Sequence, residues 1–194
     1  MEIGATKAVQ DRLKTTKIEE SKGASLVFCW DTHLTKIKGR NVLFIVNASN
    51  RYTIAMTDIE PRNWNYYTMY ISRVIHGVMQ EMGYSEDQIG QYFKMSGDTT
   101  VTKTHGRKSV GGINRMVMDA QYFGKKLEKE AKYQWELSEY LNRDICQPEG
   151  FDAYGYPSEL FKLDMERLGI AAKRKPAKVI DFAQYIKNNR GTND

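Results

Sequence analysis

A run of five apolar residues, 42–46, sets the strongest limit on how this chain can fold. It reads Val-Leu-Phe-Ile-Val, so it consists of residues that favour or tolerate a β-strand and contains no polar side chain. A strand that is apolar throughout is typical of a buried position inside a sheet. The run therefore predicts a central strand.

Shorter runs on both sides of it predict the rest of the sheet. Residues 26–30 are apolar on both faces, and in 51–57 the residues Tyr52, Ile54 and Met56 alternate with small or polar ones. The connections are short, which favours an antiparallel meander. Residues 99–104 contain one apolar residue, Val101, and predict an edge strand.

Helical periodicity dominates the middle of the chain. Apolar residues at spacings of three and four predict a helix over 63–82, and Ser85 is placed to cap a second helix that reaches about Met95. A longer stripe predicts one helix over 108–140. The predicted fold is α+β, with a small, mainly antiparallel sheet covered on one face by the 63–82 helix and the long helix.

The composition changes after Asn142. Residues 147–157 contain prolines and glycines, and two short amphipathic helices are predicted near 158–168 and 179–188. We therefore predict an α+β domain over 1–142 and a helical C-terminal extension over 143–194, which packs as an appendage or forms part of a homodimer. A chain that ends near Asn142 is expected to remain folded.

Composition narrows the class of protein. At 194 residues the chain can bury a core without disulfides or metals. No apolar run reaches the roughly 18 residues of a membrane span, and the first ten residues lack the apolar segment of a secretory signal. Cys29 and Cys146 are too far apart for a metal-binding pair, which favours buried free thiols in a cytoplasmic protein.

Positive charge concentrates where the long helix begins. Residues 94–115 contain five basic residues and one acid, in a chain whose net charge is +5. A glycine turn at Gly106 precedes a helix N-terminus, whose free N–H groups attract anions. We predict a ligand site that consists of Asn47, Arg51, Lys103, Thr104, Arg107, Ser109 and Asn114.

A plainer interpretation of the same residues stays open. Ser109 and the nearby cations also fit a capped helix start with a solvated basic surface. Asparagines in turns, such as Asn47, commonly bond to their own backbone. The ligand-site hypothesis also requires Arg51 and Arg107 to meet in one cleft.

Several chemistries lack their sequence patterns. The chain has no Walker A spacing and no Gly-x-Ser-x-Gly elbow. A phosphoesterase of the two-histidine kind needs two His-x-Thr motifs, and only 33–35 fits. The three histidines are far apart in sequence, so we predict no metal site, no cofactor and no catalytic residue.

Three motifs together carry a resemblance to a known family. They are Phe28-x-Trp30, Val46-Asn47-x-x-x-Arg51-Tyr52, and Lys103-Thr104-x-x-Arg107-x-Ser109-Val110-x-Gly112-x-Asn114. The combination resembles a bacterial and phage family of small proteins classed as a domain of unknown function, over roughly residues 1–120. The resemblance implies domain boundaries and points to these residues, and it implies no activity.

The function predicted from these observations is a non-enzymatic module that binds a phosphate-bearing anion, either a nucleotide-like small molecule or nucleic acid. The alternative is an interaction or inhibitor protein that acts through its C-terminal helices. A phosphate-ester hydrolase is disfavoured because the sequence shows no general base with a positioned partner.

Overall fold

Five strands form one sheet in the computed structural model, which describes residues 1–15 and 18–172. In chain order they are β1 (Glu2–Ala5), β2 (Cys29–Ile37), β3 (Arg40–Asn47), β4 (Thr53–Thr57) and β5 (Thr100–Thr102). Their spatial order is β4-β3-β2-β1-β5. The predicted central run lies in β3, an internal strand, and β5 is an edge strand as predicted.

The strand directions add detail to the predicted sheet. β2, β3 and β4 form the expected antiparallel meander, but β1 runs parallel to both β2 and β5. Parallel neighbours need crossover connections, which the intervening helical segments supply. The α+β class is confirmed, and the sheet is mixed rather than purely antiparallel.

Seven α-helices accompany the sheet in the described part of the chain. They are α1 (Lys7–Leu13), α2 (Pro61–Asn65), α3 (Tyr67–Glu81), α4 (Glu86–Ser96), α5 (Gly106–Gln121), α6 (Trp135–Asn142) and α7 (Pro157–Arg167). Ser85 caps α4 as predicted, and its hydroxyl accepts a hydrogen bond from the Gln88 N–H. None of these helices is both long enough and apolar enough to cross a membrane.

The helices cover both faces of the sheet, not one as predicted. Leu43 and Ile45 of β3 pack with α3, α4 and α7, whereas Val42, Phe44 and Val46 pack with α5 and α6. Both sets are almost fully buried. An apolar strand loses its stabilising burial if either face is open, so two helical layers enclose β3.

The prediction of one continuous helix over 108–140 is also wrong, because two helices occupy this stretch and an irregular segment connects them. α5 ends at Gln121, and the chain then runs irregularly until α6 begins at Trp135. Within this connection the Thr57 N–H donates to the Lys132 carbonyl (2.7 Å) and the Gln134 N–H donates to the Ala55 carbonyl (2.9 Å). These bonds satisfy the outer edge of β4, which a continuous helix would leave open.

α7 contributes to the same core as the sheet. Phe161 is fully buried, and its ring centroid lies 5.2 Å from that of Tyr52 and 6.1 Å from that of Trp30. The second predicted C-terminal helix, 179–188, lies outside the described residues. The division of the chain at residue 142 stays a prediction.

Candidate functional site

Five of the seven residues predicted to bind a ligand lie in the segment 103–114, at and just before the start of α5. We call this segment the α5 head. Arg107 and Asn114 are exposed, and Thr104 is half-buried. Lys103 already forms an ion pair with Glu20, with Nζ 2.5 Å from Oε1. Ser109 turns inward, and its hydroxyl donates to Asp31. These residues are neighbours on one helix start, but only part of the set faces solvent.

Arg51 reaches α5 at a different place. A Cβ atom on Gly112 would lie 2.3 Å from Arg51 Nη2, so the absent side chain at this position leaves room for the guanidinium. Positions 107 and 112 of a helix are about 140° apart around its axis. The structure therefore does not bring Arg51 and Arg107 together on one face of α5.

Asn47 is a buried turn residue. Its Nδ2 donates to the Val27 carbonyl (2.9 Å), and its Oδ1 accepts from the backbone N–H groups of Ser49 (3.0 Å) and Asn50 (3.3 Å). Both polar atoms are thus used within the fold, as in the plainer interpretation of this turn. Whether the seven predicted residues bind a ligand stays a prediction.

A second group of polar side chains lies buried beneath the α5 head. We call it the buried cluster, and it consists of Glu2, Cys29, Asp31 and His105. The register of β1 and β2 places Glu2 beside Cys29 and Gly4 beside Asp31, so these positions share one face of the sheet. β5 then ends next to β1 and delivers His105 onto that face.

His105 bridges two buried carboxylates. Its Nδ1 lies 2.7 Å from Asp31 Oδ1 and its Nε2 lies 3.0 Å from Glu2 Oε2. The side chains are 2 % exposed for His105, 0 % for Asp31 and 5 % for Glu2. The Asp31 carboxylate also accepts from the His105 N–H (3.2 Å to Oδ1) and from Ser109.

The electrostatics of the buried cluster follow from these bonds. Burial disfavours the charged imidazolium, but the hydrogen bonds and charges of Asp31 and Cys29 outweigh it and raise the pKa of His105 to about 10. Burial likewise opposes the Glu2 carboxylate, yet hydrogen bonds from the Ser21 hydroxyl (2.6 Å), the Lys22 N–H (2.8 Å) and His105 hold its pKa below the usual value. These side chains are too enclosed to touch a substrate, but they can hold a small cation.

Sequence reasoning missed the buried cluster. It correctly predicted that Cys29 and Cys146 are buried free thiols. The approach of Glu2, Cys29 and His105 depends on two parallel strand pairings between segments far apart in sequence. No local spacing signals such pairings.

A cavity of a size that suits a small ligand lies elsewhere, between the Tyr133–Trp135 segment, α6 and α7. We call it the aromatic cleft. Its volume is about 380 Å³, near the lower end of the range for small-ligand pockets. The residues that line it are Tyr52, Met82, Tyr133, Trp135, Glu139, Asn142, Arg143, Ser158, Glu159 and Lys162.

The aromatic cleft combines ring surfaces with movable charges. Tyr133 and Trp135 meet edge to face with ring centroids 5.8 Å apart, and Trp135 is 44 % exposed. Arg143 and Lys162 form ion pairs with glutamates of their own helices, at 2.7 Å and 3.0 Å. Exposed pairs of this kind contribute about 0–1 kcal/mol each, so either cation can turn to an anionic ligand at little cost.

The fold and these two sites define a layered α+β domain with a buried polar cluster on one face of its sheet and an aromatic cleft at its helical rim. The chain belongs to the family of the domain of unknown function DUF6933, whose sequence profile matches residues 2–160. The match extends beyond the 1–120 range of the predicted resemblance and includes α6 and the start of α7. No curated protein and no solved structure matches the chain significantly.

Proposed function

We propose that the protein is a non-enzymatic module that binds a phosphate-bearing ligand, and that this ligand is a nucleotide-like small molecule held in the aromatic cleft. The observation that carries the proposal is the placement of the Tyr133–Trp135 ring pair beside the cations Arg143 and Lys162. Stacking of a base on an aromatic ring contributes about 1–3 kcal/mol. A charge-assisted bond to phosphate contributes about 1.5–3 kcal/mol.

The charge distribution favours a small ligand over nucleic acid. Many basic side chains of the described residues pair with acids, including Lys103 with Glu20 and Lys125 with Glu136. A nucleic-acid groove needs a run of cations that is free to track the phosphate backbone. The aromatic cleft instead offers two cations, Arg143 and Lys162, within one cavity of a size that suits a small molecule.

The test is a calorimetric titration of the full chain against nucleoside mono-, di- and triphosphates and short oligonucleotides, at two salt concentrations. We expect a nucleotide to bind with a shallow salt dependence, and Trp135→Ala to weaken binding roughly ten- to a hundredfold. Tyr122→Ala is the control, because Tyr122 is 79 % exposed and lies outside the cleft.

Arg143 has a close structural match for a control. Arg143 pairs with Glu139 and Arg115 pairs with Asp119, both four residues apart on a helix, and the two arginines are 73 % and 71 % exposed. We expect Arg143→Ala to weaken nucleotide binding and Arg115→Ala to leave it unchanged. Arg107→Ala tests the α5 head in the same assay. The proposal fails if no nucleotide binds, or if neither Trp135 nor Arg143 contributes.

The two other predicted functions gain less support. Leu160, Phe161 and Met165 of α7 are buried in the protein's own core, so this helix presents few apolar side chains to a partner. A hydrolase needs an accessible general base, whereas His105 is enclosed by Asp31 and Glu2. A bacterial or phage origin, a cytoplasmic location and a homodimer stay predictions.

A further inference from the structure

We propose that Glu2, Cys29 and His105 form a binding site for a divalent transition-metal ion of the zinc class. The proposal concerns the buried cluster and is independent of the function proposed for the aromatic cleft. It departs from the sequence-based prediction that the chain has no metal site.

The three side chains supply a suitable ligand set. One ligand atom from each residue, a carboxylate oxygen, a thiol sulfur and an imidazole nitrogen, lies within 4.8 Å of the other two. Tetrahedral zinc with its usual bond lengths separates such ligand atoms by about 3.3–3.6 Å. The 3.0 Å between His105 Nε2 and Glu2 Oε2 is close to that separation. The three ligand atoms are thus already grouped near the separations that a tetrahedral ion requires.

Asp31 orients the histidine for this role. Its carboxylate lies 2.7 Å from Nδ1 of His105 and also accepts from the His105 N–H and from Ser109, so it is firmly placed. Metal-binding histidines commonly donate one ring N–H to a carboxylate and use the other nitrogen as the ligand. Here that other nitrogen, Nε2, is the one that faces Glu2.

The space between His105 and Glu2 requires positive charge. When Nδ1 carries the imidazole proton, both Nε2 and Glu2 Oε2 present lone pairs at 3.0 Å, which repel unless a proton or a metal ion lies between them. When His105 carries both ring protons, its single positive charge faces the two negative charges of Glu2 and Asp31. The net charge of the three side chains is then −1. A divalent ion bound by Glu2, the Cys29 thiolate and neutral His105 replaces the thiol proton and the Nε2 proton, so the net charge of the buried cluster stays at −1 and the ion adds no buried charge.

Surface cations do not fill this role. Lys22 and Lys103 flank the buried cluster, but Lys22 pairs with Glu19 and Lys103 pairs with Glu20. The Cys29 thiol is a weak donor whose carbonyl contacts, 3.5 Å to Ser25 and 3.7 Å to Ala24, can be given up on metal binding. Metal binding releases the thiol proton, and the Nε2 proton where it is present, to solvent.

The buried cluster comes close to solvent on the side of Glu2. Ser21 and Lys22, which bond to the Glu2 carboxylate, lie on an exposed segment. With three protein ligands, the fourth position of a tetrahedral ion is free for water.

The test is a titration of the metal-free full chain with Co²⁺, which reports thiolate ligands and tetrahedral geometry through its absorption spectrum. We expect one equivalent to bind, with a thiolate-to-cobalt charge-transfer band that Zn²⁺ displaces. Cys29→Ser should remove the band and weaken Zn²⁺ binding by about a hundredfold or more. Cys146→Ser is the matched control, because Cys146 is also a buried free thiol and lies outside the cluster.

Each outcome decides the proposal. If the wild-type chain binds no Co²⁺, or binds it without the thiolate band, the cluster is a proton-bridged structural network and the proposal is wrong. A band that persists in Cys29→Ser, or one that disappears in Cys146→Ser, places the metal elsewhere and also overturns it. Circular dichroism checks the fold of both variants. If Cys29→Ser does not fold, Cys146→Ser, in which Cys29 is the one remaining thiol, is treated with an alkylating reagent with and without Zn²⁺. The proposal requires Zn²⁺ to slow the alkylation and requires the alkylated, metal-free sample to give no cobalt band. Alkylation at the same rate with and without Zn²⁺ overturns it.

Discussion

At the scale of single residues, Gly4 shows how closely the strands pack around the buried cluster. A Cβ atom on this residue would lie 1.8 Å from Asp31 Oδ1 and 3.0 Å from the Thr104 Cα. The carboxylate of Asp31 occupies that space, and the backbone after β5 closes it from the other side. A side chain at position 4 is therefore incompatible with the bond between Asp31 and His105.

We predict that Gly4→Ala lowers the free energy of unfolding by at least about 2 kcal/mol, because it displaces a buried, hydrogen-bonded carboxylate. Denaturant titration measures the effect. Gly77→Ala is the control, since Gly77 lies within α3 and no heavy atom is within 4 Å of its missing Cβ. That variant should be unchanged or more stable by up to about 1 kcal/mol. Equal stability of Gly4→Ala and wild type would contradict the geometry.

At the scale of elements, α6 and the segment before it act as a partner for β4. The Ser138 hydroxyl accepts from the Ala55 N–H (3.0 Å), and Asn142 bonds to both the N–H and the carbonyl of Thr53 (2.8 Å each). Lys132 and Gln134 bond the remaining backbone groups of the strand's outer edge. Side chains of a helix thus complete a ladder that another strand usually completes.

We predict that Asn142→Ala lowers the free energy of unfolding on the order of 2–5 kcal/mol, because two buried backbone groups of Thr53 lose their partners. Equilibrium unfolding in urea gives the value. Asn114→Ala, an exposed helical asparagine, should change stability by less than about 1 kcal/mol. If the two variants behave alike, the Asn142 side chain does not satisfy the edge of β4.

These elements also show which parts of the structure the sequence allows one to predict. β3 and α4 were predictable because the apolar run 42–46 and the Ser85 cap are local signals. The end of α5 could not be predicted, because Leu127 and Ala131 continue the helical spacing of apolar residues past Gln121. Backbone pairing with β4 determines the actual path of the chain there. The buried cluster could not be predicted for the same reason. Strand pairing, not the spacing of residues along the sequence, brings Cys29 next to Glu2.

The predicted ligand residues illustrate the same limit at the site. The helix start at Gly106 was visible in the sequence, and its basic residues do cluster there. The direction of each side chain was not visible in the sequence, because tertiary contacts turn Ser109 towards Asp31 and Lys103 towards Glu20. The aromatic cleft escaped notice because Trp135 falls on the apolar stripe that predicted a continuous helix.

At the scale of the whole molecule, α7 packs into the same core as the N-terminal strand β1. Phe161 and Met165 are fully buried between the sheet and the helices of the same face. Loss of a buried phenylalanine side chain alone costs about 3–5 kcal/mol, a large part of the 5–15 kcal/mol that stabilises a typical domain. The structure thus favours a domain that continues past residue 142.

We predict that a chain truncated after Asn142 loses its cooperative thermal transition, whereas one truncated after residue 172 keeps it. Circular dichroism at increasing temperature distinguishes the two. The second chain is the control, since it retains α7 and the described residues that pack with it. A cooperative transition in the shorter chain would support the sequence-based division at residue 142 instead.

The covered edges of the sheet have a consequence for how copies of this protein can meet. The 132–142 segment blocks β4, and on the far side Glu19 bridges to Thr102 of β5, where the Lys103 N–H donates to the Glu19 carbonyl (2.9 Å). Two copies of a protein can pair their edge strands through backbone hydrogen bonds whatever their side chains are. Here other segments cover part of both edge strands, β4 and β5, and obstruct such pairing. For the part of the chain that the structure describes, self-association therefore depends on surface side chains, so a few substitutions can create or abolish it while the fold is left intact.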